Sequence, residues 1–200
     1  MFTMHQTGGA PRARRFPAHT VDSAPAATRD ALAGVERALG FVPALFATMA
    51  ASPEALLGYM ALDSVLAKGS FDPAERQVLL TAVSAANGCV YCTAAHSTFA
   101  ASLGAEPADI AAARGERDIS GGATGALIAF VHAVVHERGH VGPVALNEFI
   151  DAGFTPAQAL EVVANVGLKT ISNFIHGFVP VPLDADFAPH RWEPNAIAAG

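Results

Sequence analysis

The sequence predicts an all-α protein, a multi-helix antiparallel bundle. Prolines follow helix-capping residues at four places, a pattern typical of helix starts: Ser52-Pro53, Asp72-Pro73, Gly142-Pro143 and Thr155-Pro156. Glycines follow periodic segments where helices are expected to end: Gly40, Gly69, Gly104, Gly115 and Gly153. No segment alternates apolar and polar residues as a strand would. The β-branched stretch 179–183 is broken by two prolines and is expected to be extended coil.

Taken in order, these start and stop patterns define nine helices joined by short loops, which favour antiparallel neighbours. The domain plan is a flexible N-terminal arm at 1–20, a single helical domain at 21–183, and a tail at 184–200 that wraps the surface or a neighbour. The expected helices span 25–39, 43–50, 53–68, 73–87, 89–103, 107–114, 122–138, 143–151 and 156–175.

Composition narrows the classes of partner. Hydrophobic residues make up 52% of the chain and charged residues only 15%, which indicates surface buried in a homo-oligomer. The net charge of −6 and the lack of a basic stripe argue against nucleic acid. Charged or His residues interrupt every apolar run, so no membrane span is expected. Because the N-terminus also lacks a signal-peptide core, a cytoplasmic protein is predicted.

The chemistry centres on Cys89, Cys92 and His96, and these two cysteines are the only ones in the chain. The Cys-x-x-Cys pair falls at a helix start, where the helix dipole favours a thiolate. His96 lies one turn after Cys92 on the same face. This spacing favours Cys92 as the attacking thiolate, Cys89 as the resolving thiol and His96 as the proton acceptor and donor.

Gln77-(x)11-Cys89-x-x-Cys92-x-x-x-His96, with Asn87-Gly88 before the first cysteine, resembles the carboxymuconolactone decarboxylase family, in particular its alkylhydroperoxidase D-like branch. The resemblance implies an all-helical fold, a homo-oligomer (dimer, trimer or hexamer) and peroxide reduction through a Cys-x-x-Cys disulfide. It implies no metal, haem or flavin. The expected partners are a small peroxide and a dithiol reductant that is lipoylated or thioredoxin-like.

The sequence departs from the family pattern at two places. The family's proton relay usually has a glutamate where this chain has Gln77, and glutamine cannot relay a proton as a carboxylate does. Glu75 is the alternative relay acid, although its position also fits a capping box with Asp72. Tyr91 stands where alkylhydroperoxidase D has a histidine, so a second titratable imidazole is missing, and Tyr91 itself is a further candidate catalytic residue.

Other interpretations of these motifs are less favourable. A structural zinc site needs about four ligands, and only His96 lies near the two cysteines. A thioredoxin-like motif would need a βαβ pattern. His136-Glu137-Arg138-Gly139-His140 matches the zinc-protease signature, but Gly139 is expected to end the helix and to place His140 off it.

Three features of the last helices complete the sequence-based predictions. Asn173 and His176 either form a polar cluster at a helix end, which we favour, or approach the site or a subunit interface. Gly167, inside that helix, predicts a close helix–helix contact. The core is expected to include Phe130, Phe149 and Phe174.

The predicted function is a thiol-dependent peroxidase that cycles through a Cys89–Cys92 disulfide. Two alternatives stay open: a lactone decarboxylase of the same family, which needs no thiol pair, and a non-enzymatic dithiol redox sensor. The sensor would form a reversible disulfide without consuming peroxide catalytically.

Overall fold

The computed structural model describes residues 16–118 and 121–194. The chain divides into two compact units, one up to Leu57 and one from Gly58 onwards. The described residues form helices and loops and contain no strand, so the all-α prediction is confirmed. Of the expected N-terminal arm, residues 1–15 lie outside the described residues.

Nine α-helices appear in the described residues, each within three residues of its predicted bounds. They are α1 (Ala26–Leu39), α2 (Ala44–Met49), α3 (Pro53–Leu66), α4 (Pro73–Ala86), α5 (Val90–Ser102), α6 (Pro107–Ala113), α7 (Ala123–His136), α8 (Pro143–Asp151) and α9 (Pro156–Phe178). Helices α1 and α2 belong to the first unit. Helices α4 to α9 belong to the second unit, which carries the cysteines.

Local capping explains why these helices start where they do. The Asp72 side chain accepts a hydrogen bond from the backbone N–H of Ala74 at 2.9 Å, with proline at the first helical position of α4. Thr155 and Gln158 form a reciprocal capping box at the start of α9. These bonds satisfy N–H groups that have no partner within the helix.

Helix α4 lies at the centre of the second unit and packs against α5, α6, α7 and α9. Its apolar residues are buried around most of its circumference, as expected of a central helix. A second part of the core is a stack of aromatic rings, with Phe149 between Phe130 and Phe154 at centroid distances of 4.5 and 4.4 Å. The predicted core positions of Phe130 and Phe149 are therefore confirmed.

Two predictions about α9 are wrong. Phe174 is 62% exposed and not part of the core. Among the described residues, no heavy atom lies within 4 Å of a Cβ built on Gly167, so this glycine makes no close helix–helix contact there. Apolar residues occur on both faces of α9, and the sequence alone does not say which face points inward.

The segment that follows α9 is structured. Residues Ala185–His190 form a 3₁₀ helix that packs on α5, and the side chains of Phe187 and Trp192 are buried. The Trp192 indole N–H donates to the carbonyl of Arg114 at 3.0 Å, and the Arg114 guanidinium donates to the carbonyls of His190 and Arg191. We call residues 184–194 the C-terminal strap.

Candidate active site

The two cysteines sit at the turn that joins α4 to α5. Gly88 adopts φ +66°, a conformation that glycine tolerates, and the chain reverses there. The Cys89 N–H then donates to the Ser84 carbonyl at 2.9 Å, and Cys89 becomes the N-cap residue of α5. Its Sγ accepts a hydrogen bond from the Cys92 backbone N–H at 3.4 Å. Both thiols are free and almost fully buried.

His96, one turn further along α5, bonds to Gln77 on α4. The His96 Nδ1 to Gln77 Oε1 distance is 2.8 Å, and because an amide oxygen only accepts, Nδ1 carries the proton. The pKa of His96 is held well below 6.5, first by burial and then by the cations of Lys169 and Arg76. The ring is therefore neutral near pH 7, and its Nε2 is available to accept a proton.

Glu75, the other candidate for the relay position, belongs to the start of α4. Burial raises the pKa of its carboxyl group, while the backbone N–H of Asp72 opposes that rise by donating to it. Glu75 therefore interacts with the N-cap residue of α4, where the Asp72 side chain accepts from the N–H of Ala74. Gln77, and not Glu75, is thus the residue joined to His96.

The sequence-based predictions missed Lys169 on α9. Its ammonium group is buried, donating to Ser172 Oγ at 2.8 Å and lying 3.4 Å from the Tyr59 hydroxyl. Burial lowers the pKa of Lys169, but the Cys92, Tyr59 and Cys89 groups raise it by more, so the net shift is upward. The available hint was that Lys169 is the single lysine of α9 and lies four residues before Asn173 and seven before His176, on one face of the helix.

The two thiols are electrostatically different. The pKa of Cys92 is lowered, chiefly by the hydrogen bond from the Cys89 thiol and then, against the cost of burial, by Lys169, Asn173 and His176. The pKa of Cys89 is raised, chiefly because its thiol proton is shared with Cys92 and also by burial. The two shifts have opposite directions, and they favour the thiolate on Cys92 and the thiol on Cys89.

Asn173 and His176 lie on the same face of α9 as Lys169, at the spacing of successive helical turns. The Asn173 carbonyl accepts from the side-chain amide of Asn87 at 2.9 Å, and its own amide lies 3.4 Å from Ser84 Oγ. The His176 ring stacks on Tyr91 with a centroid distance of 5.5 Å. The favoured interpretation of a helix-end cluster is therefore wrong, and both residues reach the Cys-x-x-Cys turn.

Tyr91, between the cysteines, fastens the strap to α5. Its hydroxyl donates to the Asp184 carboxylate, and the Tyr91 and Phe187 rings pack at right angles with a centroid distance of 5.9 Å. Phe187 also packs edge-on against Phe99, which in turn contacts the His96 ring. The strap thus shields the cysteine-bearing face of α5 with aromatic side chains.

A cleft of about 230 Å³ opens beside Tyr91 and His176, between α5, the end of α9 and the strap. Its volume is small, below the range of about 300–1,000 Å³ common for drug-sized ligands. It offers an approach to the Cys-x-x-Cys turn for a small molecule. Its other lining residues are Val90, Val181, Leu183, Arg191, Trp192 and Glu193.

The zinc-protease signature is interrupted, as predicted. Helix α7 ends at His136, and Arg138 and Gly139 have φ values of +53° and +80°, so His136 and His140 do not share one helix. Among the described residues, no three His, Cys, Asp or Glu side chains come together as a metal site. None of the described helices has the length and apolar character to cross a membrane.

Together, these features define a helical protein with a buried pair of free cysteines, the second of which has a lowered pKa. Residues 53–135 match the model of the carboxymuconolactone decarboxylase family. A comparison with curated protein sequences gives no match.

Solved structures share this fold at low sequence identity. The alkylhydroperoxidase AhpD core protein of Ralstonia eutropha JMP134, described as an uncharacterized peroxidase-related protein, superposes with a TM-score of 0.77 and 24% identity, covering 86% of this chain and 93% of its own. An uncharacterized peroxidase-related protein from Silicibacter sp. TM1040 gives a TM-score of 0.73 at 18% identity, covering 91% and 97%. At these identities the likeness establishes the fold alone.

A third solved structure is described by a different chemistry. The debrominase Bmp8, in a variant bound to 2,3,4-tribromopyrrole, superposes with a TM-score of 0.69 and 20% identity, covering 82% of this chain and 88% of its own. The fold therefore includes both peroxidase-related proteins and a debrominase.

Proposed function

We propose that this protein is a thiol-dependent peroxidase in which Cys92 attacks the peroxide and Cys89 resolves the product. The observation that carries the proposal is the unequal pair of buried thiols, with Cys92 held as thiolate by the Cys89 thiol and the Lys169 ammonium. A thiolate is the nucleophilic form of cysteine. The proposed cycle also requires a second thiol close enough to form a disulfide, and Cys89, at the start of the same helix, provides it.

In the first step the Cys92 sulfur attacks the outer oxygen of ROOH and the O–O bond breaks. The alkoxide leaves with both electrons of that bond, and Cys92 becomes a sulfenic acid. We assign the proton that converts the alkoxide to ROH to Lys169, because its ammonium is the buried cation that interacts most strongly with Cys92. In this scheme Lys169 takes the place of the acid that is missing at Gln77.

In the second step the Cys89 sulfur attacks the sulfenic sulfur, a disulfide forms and hydroxide leaves. The Cys89 proton passes through His96 Nε2 to that hydroxide, giving water, while Gln77 holds the Nδ1 proton in place. An external dithiol then reduces the disulfide by thiol exchange, and Lys169 recovers its proton from Cys92. The cycle needs no metal, haem or flavin, and it needs a reducing compartment such as the cytoplasm.

The buried position of both sulfurs favours a reductant whose dithiol group is thin enough to reach them. With Cys89 and Cys92 only 3% and 2% exposed, a slender lipoyl-type dithiol fits the approach better than a rigid thioredoxin-like surface. The same burial favours a small peroxide over a protein substrate.

Stopped-flow oxidation of the reduced protein, with thiol counting, tests this function. Hydrogen peroxide and cumene hydroperoxide should each remove two thiols per peroxide from the unaltered chain. Cys89→Ser should lose one thiol and leave a sulfenic acid that dimedone traps, whereas Cys92→Ser should consume no peroxide. Rapid peroxide turnover by Cys92→Ser would refute the assignment.

The same experiment separates the alternatives. A redox sensor would lose two thiols once but show no turnover with lipoamide-type or thioredoxin-type reductants. A lactone decarboxylase would leave both thiols intact and release carbon dioxide from a lactone acid.

Reductive debromination is a second candidate, favoured by the likeness to the tribromopyrrole complex and by the aromatic walls of the site. In that reaction two thiols and a bromoarene would give the arene, one disulfide and HBr. Incubation of the reduced chain with 2,3,4-tribromopyrrole should then release one bromide per disulfide, and an absence of bromide release would exclude it.

A further inference from the structure

A second cavity of the same unit, distinct from the cleft beside Tyr91, is lined by two histidines. Its volume is about 320 Å³, and it lies between the ends of α4, α6 and α7 and the C-terminal strap. His132 and His136 line it from α7, and Trp192 and Pro194 line it from the strap. We call it the α7 cavity.

The two histidines of the α7 cavity are four residues apart on one continuous helix, unlike the interrupted pair of His136 and His140. This spacing places both imidazoles on the same side of α7, and it is the spacing with which a helix chelates a metal ion. Their ring centroids are 5.9 Å apart. Two imidazoles bound to one tetrahedral ion at about 2.0–2.1 Å have centroids about 5 Å apart, so a small rotation of either side chain brings them into place.

Both imidazoles have nitrogen lone pairs to offer. Among the described residues each ring contacts the other, and neither ring is hydrogen-bonded to another side chain or to the backbone. Burial, and then the neighbouring His136, lowers the pKa of His132. A neutral imidazole is the form that binds a metal ion, whereas an anion would need the protonated form.

The surroundings of the two rings also favour a cation. Arg114 lines the α7 cavity, but its guanidinium is already engaged by Glu116 at 2.7 Å and by two carbonyls of the strap. His132 and His136 lie in the last turns of α7, the end at which a helix dipole is negative. Imidazole ligands suit late first-row cations such as Cu²⁺ and Zn²⁺, whereas Mg²⁺ prefers oxygen ligands.

We propose that the α7 cavity is a binding site for a late first-row divalent metal ion, held by His132 and His136. The described residues bring no third His, Cys, Asp or Glu to the site, so the other coordination positions belong to water or to a small anionic ligand from solution. Gly88 and Trp192 also line the cavity, so a bound ion lies against the turn before Cys89 and against the strap. This site does not depend on which reaction the thiols carry out.

Trp192 gives a local readout of the site, because it is the only tryptophan of the chain. The full chain is titrated with Cu²⁺ after Cys89 and Cys92 have been replaced by serine, since the thiols would themselves bind or reduce this ion. A Cu²⁺ ion in the α7 cavity should quench the Trp192 fluorescence along a saturable curve. Mg²⁺ should leave the fluorescence unchanged, and excess Zn²⁺, which does not quench, should restore it by displacing Cu²⁺.

Matched histidine variants identify the ligands. His132→Gln and His136→Gln should each weaken the Cu²⁺ affinity by more than about tenfold, because even the loss of a group that only supports a metal ligand costs that much. His140→Gln removes an exposed imidazole outside the cavity and should leave the affinity unaltered. His136 is exposed, so its replacement should leave the circular dichroism unchanged. Quenching that does not saturate, or full affinity in either cavity variant, would overturn the proposal.

Discussion

Gln77 Oε1 accepts the Nδ1 proton of His96 at 2.8 Å, and this bond joins α4 to α5 at the relay position. An amide there fixes the tautomer of the imidazole without adding charge. Because Gln77 is neutral, it does not stabilise the imidazolium, and burial and the nearby cations keep the pKa of His96 low.

Replacing that amide by a carboxylate should change the histidine. In Gln77→Glu, the new anion stabilises the imidazolium, so the pKa of His96 should rise towards neutrality. NMR titration of the His96 ring proton would measure the shift. Glu75→Gln, which alters the capping carboxylate of the same helix, is the control, and an unmoved His96 titration in Gln77→Glu would contradict the assigned contact.

Removing the buried ammonium should make Cys92 less reactive. In the Cys89→Ser background, Lys169→Met should slow alkylation of Cys92 by iodoacetamide at pH 7 by about tenfold or more, since each factor of ten corresponds to about 1.4 kcal/mol of lost thiolate stabilisation. Lys68→Met changes the other, exposed lysine and should have no effect. Equal alkylation rates in the two lysine variants would show that Lys169 does not stabilise the thiolate.

The low pKa of His96 also predicts how stability depends on pH. Below its ordinary pKa of 6.5, the unfolded chain binds a proton at His96 that the folded chain does not. The free energy of unfolding should therefore fall as the pH decreases from 7.5 to 5.5, with this group contributing at most about 1.4 kcal/mol per pH unit. Urea titrations at several pH values give the free energy of unfolding, which should change less with pH in His96→Gln than in His140→Gln. His140 is exposed, so its variant is the reference for loss of an imidazole. An equal pH dependence in the two variants would contradict the prediction.

Loss of the hydrogen bond between Tyr91 and Asp184 should loosen the C-terminal strap and lower the free energy of unfolding. Tyr91→Phe and Asp184→Asn each remove the hydroxyl–carboxylate contact and should cost about 1–2 kcal/mol, but the double variant should cost little more than either alone. Both should speed the reaction of the thiols with a disulfide reagent. Asp186→Asn, an exposed carboxylate in the same segment, is the matched control, and fully additive losses would argue against a direct bond.

The parts of the structure that local patterns control could be predicted. Helix starts depend on the cap and the proline beside it, so α4 and α9 begin where the sequence indicates. The spacing of Cys92 and His96 is a property of one helix, and it needed no knowledge of the packing. The family resemblance indicated Gln77 or Glu75 as the relay position and left the choice open, since nothing local joins α4 to α5; the bond from His96 to Gln77 is seen only in the structure.

The parts that depend on tertiary packing were missed. Lys169 reaches the thiols only because α9 packs against α4, and its charge gives no periodic pattern. The strap lacks periodicity as well, and its 3₁₀ helix is held by Phe187 and Trp192. Phe174 was assigned to the wrong face because a helix that is apolar on two sides has no single inward direction.

Lys169, which adds to the lowering of the Cys92 pKa, comes from a helix much later in the chain. In the proposed mechanism, part of the reactivity of this sulfur is therefore acquired only when α9 packs against the rest of the domain. Rapid alkylation at neutral pH would consequently report native packing, without an added dye or label. A variant that keeps its helices but loosens α9 should lose this reactivity while its circular dichroism is unchanged. In the proposed mechanism, the packing of α9 thus completes both the fold and the environment that makes the Cys92 sulfur reactive.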